Sequence, residues 1–308
     1  MPRIPHRDFR YAFTLIEMLV VIAIIAALMA LSAAAVIRFM GTQQNNNTKT
    51  ELNRIQGQLN QVWGVVSQNA QKKPQWKTEM VPGTSTTVES YILSNLAGTD
   101  ANRQSRALVI YVKLKQRQAF PTNFNEAVNP FPLSPLPGYK TYLNSVGIPG
   151  SSAASAPYES SACLLMALQR AVSGQGIDAA DIGGGGVIHQ YAAPTGTVAA
   201  LVDAWGTPLA FSRAPTGSIV LNPNGAQSGA VDPADPQGLL NSGAWQPTSM
   251  RIAFFNLIQQ QTAPALAMSF RIAPMIASAG PDRKWQINTV TFAPTTAGAS
   301  GDDLFSNP

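Results

Sequence analysis

Few residues in this chain have a type and spacing suited to chemistry, and Glu17 is the clearest. It is the only charged side chain between Arg10 and Arg38, set in an almost wholly apolar run from Ala12 to Ile37. By insertion scales a carboxylate in a membrane helix costs about 2.5–3.5 kcal/mol at mid-depth and less near an interface, so such groups are paired or functional. No Lys or Arg lies within two helical turns on its C-terminal side. A cut between Ala12 and Phe13 would supply a cation, the new α-amino group of Phe13, four residues from Glu17. That amine can pair with Glu17 within one chain or between neighbours.

The other chemically capable residues do not assemble into a site. His189 is the only histidine outside the first twelve residues. Cys163 is the single cysteine, so no intrachain disulfide forms. It lies in the apolar run Cys163–Met166 and reads as core. The glycines Gly183–Gly186 suggest a flexible turn; they lack the order of a phosphate loop, and no Lys follows. Glu126, Glu159 and Asp203 are scattered, and no nucleophile elbow is present. No catalytic residue is assigned, and an enzyme has little support. The net charge of +5 includes Arg3, Arg7 and Arg10 against Asp8; without residues 1–12 it falls to +3, spread over nearly 300 residues. No Lys/Arg run interleaves with aromatics, so nucleic-acid binding is not indicated. Apolar types make 45% of the chain and charged types 12%, too apolar for a wholly disordered polypeptide.

An acid in an apolar run needs an element to hold it. Ala12–Ile37 is long enough for a hydrocarbon core, which takes about 20 residues. It also exceeds the apolar core of a secretory signal, roughly 7–15 residues. Basic residues before it predict a cytoplasmic leader, with the rest exported. No proline occurs between Pro5 and Pro74. Leu52, Ile55, Leu59, Val62, Trp63 and Val66 repeat at the helical period, opposite Lys49, Asn53, Arg54, Gln58 and Gln61. The pattern predicts one helix from Phe13 to Gln71, about 85–90 Å long. Its first half is apolar all round and its second half on one stripe. Gly41 and Gln43–Asn47 are weak helix formers and mark a soft spot between them.

The segment Ala12-Phe13-Thr14-Leu15-Ile16-Glu17-Met18-Leu19-Val20-Val21-Ile22-Ala23-Ile24-Ile25 resembles the cleavage and methylation motif of type IV pilins and type II secretion pseudopilins. The resemblance implies that a prepilin peptidase cuts between Ala12 and Phe13 and N-methylates Phe13. It makes Glu17 the fifth mature residue, with a role in assembly. The family usually has Gly before the cut where this chain has Ala12, the smallest alternative.

Beyond Lys72 the pattern is mixed. Val88–Leu96 reads as a short helix, Ala107–Leu114 as a strand or a helix, residues 119–157 as an extended loop, and Tyr158–Val172 as a helix stopped by Gly174 and Gly176. Trp285–Phe292 reads as a strand. Asp203-Ala204-Trp205-Gly206-Thr207-Pro208, Ser278-Ala279-Gly280-Pro281-Asp282 and the terminal Asp302-Asp303 resemble segments of the major pseudopilin. The first is read as a packing feature, with Trp205 buried and Gly206–Pro208 turning into a strand. In that family a small antiparallel sheet follows the long helix, and calcium pins the C-terminal loop. The resemblance implies Asp282, Asp302 and Asp303 as calcium ligands, carboxylates being the hard oxygens calcium takes. The same residues also read as a turn at Asp282, with Arg283 beside it, and a solvated tail.

The expected fold is α+β, a long helix packed on a small antiparallel sheet with an enlarged insertion at about 75–200. The expected organisation is a leader at 1–12, a transmembrane part at 13–37, an amphipathic continuation at 38–71 and a periplasmic globular domain at 72–308. The implied function is a structural subunit of a type II secretion pseudopilus or type IV pilus, single-pass in the inner membrane with its N-terminus cytoplasmic. Implied partners are prepilin peptidase, other pilin-like subunits and an inner-membrane assembly platform. The alternative is a membrane-anchored periplasmic binding domain or enzyme that does not polymerise.

Overall fold

The computed structural model describes residues 15–72, 74–170, 182, 187–215, 217–218, 221, 232–259, 273–290, 292–295 and 303–306. The fold is α+β, as expected. Two compact units divide the chain, Met1–Gln44 and Asn45–Pro308. Helix α1 is Leu15–Lys72. It is unbroken through Gly41 and Gln43–Asn47, where the composition suggests a soft spot. No proline interrupts its ladder there, and each weak helix former costs about 1 kcal/mol or less.

In the first unit α1 is the described element. In the second, its stripe Leu52, Ile55, Leu59, Val62 and Val66 is buried, as the periodicity predicts. The stripe joins one core with α6 (Glu159–Gln169), the hairpin β1 (Ile188–Ala193) and β2 (Gly196–Leu201), and the short helices α4 (Phe124–Val128) and α5 (Pro137–Ser145). The hairpin is antiparallel, Ile188 opposite Leu201 and Ala193 opposite Gly196. An isolated hairpin is marginal in water. This one rests on α6, with Val198, Ala200 and Leu201 buried.

A second core gathers Trp76, α2 (Val88–Asn95), α3 (Arg103–Ala119), the 3-10 turn Leu239–Asn241 and α7 (Thr248–Gln259) around Trp245 and Phe254. A third lies on an antiparallel sheet in which β4 (Met275–Ser278) runs between β3 (Ala210–Ser212) and β5 (Leu304–Phe305).

Two expectations change, and the strand-or-helix alternative at Ala107–Leu114 resolves to helix. Residues 119–157 contain α4 and α5. The residues that read as loop are start signals: Asn123 Oδ1 accepts the Glu126 N–H, and Pro137 opens α5. Ala107–Leu114 lies inside α3, a helix buried from Arg106 to Ala119 on nearly every side. Its charges hide the period because Arg106, Lys113 and Arg117 are themselves buried, paired with Asp100, Asp232 and Glu126. Trp285–Phe292 forms no strand among the described residues. Asn288 Oδ1 takes the Val290 N–H and closes a turn, leaving one bridge between Ile287 and Pro294. Gly174, Gly176 and Gly183–Gly186 lie outside the described residues.

Candidate functional site

Glu17 stands in the first turn of α1 and is exposed. An acid there complements the positive helix end. Around it Leu15, Ile16, Met18, Leu19, Val20 and Ile22 are each half or more exposed. A window of this helix reaches a mean hydropathy of 2.9, long and apolar enough to cross a membrane, with none of it buried. Monomeric soluble proteins rarely show continuous apolar surface on this scale, so lipid or protein must cover it. Ala12 and Phe13, the expected processing pair, lie outside the described residues, as does the expected leader 1–12.

The Asp203–Pro208 segment is joined both to α1 and to Ser278. The buried Thr48 hydroxyl accepts the N–H of Ala204 at 3.2 Å. Asp203 Oδ1 takes the N–H groups of Trp205 and Thr207, and Oδ2 accepts from the Ser278 hydroxyl at 2.7 Å. Burial pushes the Asp203 carboxyl above its ordinary value, against the hydrogen bonds from Ser278, Thr207 and Trp205. Gly206 completes the turn at φ +82°, where a side chain would be strained. The chain then enters β3. Trp205 is half-buried, not buried as expected: Asp203 holds its backbone, while Leu209 and Phe211 fill the core.

Sequence reasoning missed Gln56, 1% exposed. Its Nε2 donates to the Pro274 carbonyl at 2.8 Å and to Asn60 Oδ1 at 2.9 Å. Its Oε1 accepts from the Ser306 hydroxyl. Ser306 Oγ also accepts the Ile276 N–H, and the Ser306 N–H donates to the Ile276 carbonyl. A signal existed: Thr48 and Gln56 sit four residues on either side of the buried Leu52, on the same helix face.

The structure does not gather three calcium ligands among its described residues. Asp282 Oδ1 accepts the Lys284 N–H at 2.7 Å, closing its own turn. Asp303 Oδ2 accepts the Gln286 N–H at 3.1 Å, beside the paired strand β5. Asp302 lies outside the described residues. No group of three or more His, Cys, Asp or Glu that could hold a metal occurs among the described residues.

A family model for the prokaryotic N-terminal methylation motif matches residues 9–33. That motif supports a type IV pilin-like class, whose members prepilin peptidase processes and which assemble with other pilin subunits. No curated protein and no solved structure matches the chain.

Proposed function

We propose that the chain is a structural subunit of a pilin-like filament, in the form of a type II secretion pseudopilin. The observation that carries the reading is the coincidence of the motif at 9–33 with a helix whose apolar surface is open and whose acid sits in its first turn. Prepilin peptidase cuts between Ala12 and Phe13 and methylates the new amine. Glu17 then neutralises that amine, on a neighbouring subunit, and sets the axial register. The precursor sits in the inner membrane, N-terminus inside, with the second unit in the periplasm. An inner-membrane platform and other pilin-like subunits draw the helix from lipid into the filament.

The pseudopilin form has its own support. The Asp203–Pro208 segment and the Ser278–Asp282 segment, far apart in sequence, are joined by the bond between Ser278 and Asp203. The first adjoins α1 at Thr48, and the strand that leads into the second is held to α1 where Gln56 donates to the Pro274 carbonyl.

Mass spectrometry of the mature N-terminus tests the reading. The expected product begins at Phe13 and carries one methyl group. A functional protein that keeps its leader, or is cut after the small residues Ala33-Ala34-Ala35 at the end of the apolar run, overturns it and favours an anchored domain that does not polymerise.

A further inference from the structure

Among the described ion pairs, Lys113–Asp232 alone joins a lysine to a carboxylate with both removed from water. Their side chains are 2% and 4% exposed. Arg54–Glu51, Arg106–Asp100, Arg117–Glu126 and Arg213–Glu126 use guanidinium groups, which stay protonated and are not nucleophiles. Lys115–Glu79 is about one-fifth exposed, where water supports both charges.

Lys113 and Asp232 are carried by segments that belong to one apolar core, with the buried Asp235 as a second carboxylate acting on Lys113. Val109, Val112 and Leu114 on α3 share a core with Ala234, Leu239 and Leu240. Asp232 Oδ2 meets Lys113 Nζ, while Oδ1 accepts the N–H of Ala234 at 2.8 Å. Asp235 accepts the N–H groups of Leu239 and Leu240, fixing the segment that carries Asp232. Burial lowers the Lys113 pKa against the pull of Asp232 and Asp235, which favours the uncharged, nucleophilic amine.

We propose that Lys113 and Asp232 condense into an intramolecular isopeptide bond, Nζ to Cγ, stapling α3 to the chain beyond residue 231. A proton passes from Nζ to Oδ2 across their shared hydrogen bond, leaving an amine and a carboxylic acid. Nζ attacks Cγ, and the charge that develops on Oδ1 meets the Ala234 N–H already directed at it. A second Nζ proton moves to Oδ2, the Cγ–Oδ2 bond breaks, and water leaves. Ammonium and carboxylate have become amide and water, with no oxidant, reductant or cofactor. The product removes two buried charges, whose desolvation opposes the ionic form. The bond closes a loop between residues 119 positions apart, and a covalent closure of that kind restricts the unfolded chain.

Intact-mass spectrometry of the denatured full-length protein reads the result directly. The expected mass is one water below that of the sequence, allowing for N-terminal processing, and a branched tryptic peptide joins Lys113 to Asp232. Lys113→Arg keeps the positive charge but supplies no amine, and its mass should show no loss. Wild-type protein at full mass overturns the proposal. So does a water loss that maps elsewhere or persists in Lys113→Arg.

Discussion

The Gln56 side chain on the long helix and the Ser306 hydroxyl near the C-terminus are hydrogen-bonded at 2.8 Å, although 250 positions separate them. The bond is buried, and so are the links from Gln56 to Pro274 and from Ser306 to Ile276. The last strand is thereby tied to α1 by polar groups with no water to replace their partners.

Gln56→Met keeps the length and deletes the polarity. It leaves the Pro274 carbonyl and the Ser306 hydroxyl each short of a buried partner, at about 1–3 kcal/mol per stranded group. Denaturant unfolding of the full chain in detergent should show the midpoint falling with an unchanged slope. Gln61→Ala, on the exposed face of the same helix, is the control and should stay within about 0.5 kcal/mol of wild type.

Acid should destabilise the second unit through Glu126. Burial pushes this carboxyl up, but the guanidinium groups of Arg213 and Arg117 outweigh it and hold it at about 2. Its folded value is therefore depressed below the ordinary 4.5. The stabilisation is fully present above pH 4.5 and is lost as pH falls toward 2, by about 3 kcal/mol in all. Asp203 has the opposite sign: its raised value favours folding at low pH, and that contribution is lost as pH rises through its folded value. Glu126→Gln should flatten the acid limb. At neutral pH it should cost about 3–5 kcal/mol, because Arg117 and Arg213 are left as uncompensated buried charges. Unfolding curves at pH 7 and pH 3 read both effects.

The parts legible in the sequence are those governed by local period and composition. The stripe from Leu52 to Val66 places α1 against the core because every fourth or third residue is apolar. Thr87, whose side chain accepts the Ser90 N–H, opens α2 where a polar residue precedes an apolar run. The illegible parts depend on distant partners. Arg106 lies in a core helix because Asp100, the Ala97 and Leu239 carbonyls and the Trp245 ring surround its guanidinium. No window around Arg106 contains that set. Glu126 reads as scattered because one of its two arginines, Arg213, is 87 positions away, and the nearer Arg117 lies nine positions back on a different helix. The turn at Asn288 was obscured by a Trp285–Phe292 composition that suits a strand.

Calcium held by Asp282, Asp302 and Asp303 is a proposal that rests on the resemblance of the C-terminal segments. If the ion binds only the folded state, a concentration of 100 times Kd adds about 2.7 kcal/mol. Thermal unfolding of the full chain should then move to higher temperature in calcium relative to chelator, and Asp282→Ala should abolish the increment. An unchanged midpoint removes the ion. Asp282 and Asp303 would remain the acceptors for Lys284 and Gln286 that they already are.

Glu17→Val separates insertion from assembly. Removing the carboxylate lowers the cost of placing α1 in lipid, by up to about 2.5–3.5 kcal/mol at mid-depth and less near the interface. The variant should therefore still fractionate with membranes and still be cut before Phe13. Polymerisation is different, because on the proposed role of Glu17 the amine of Phe13 then lacks a neutralising acid. Filaments recovered by shearing or seen by electron microscopy should disappear. Glu17→Asp, which keeps the charge on a shorter arm, should restore them in part. Wild-type filament yield from Glu17→Val would remove the acid from assembly and leave α1 as an anchor alone.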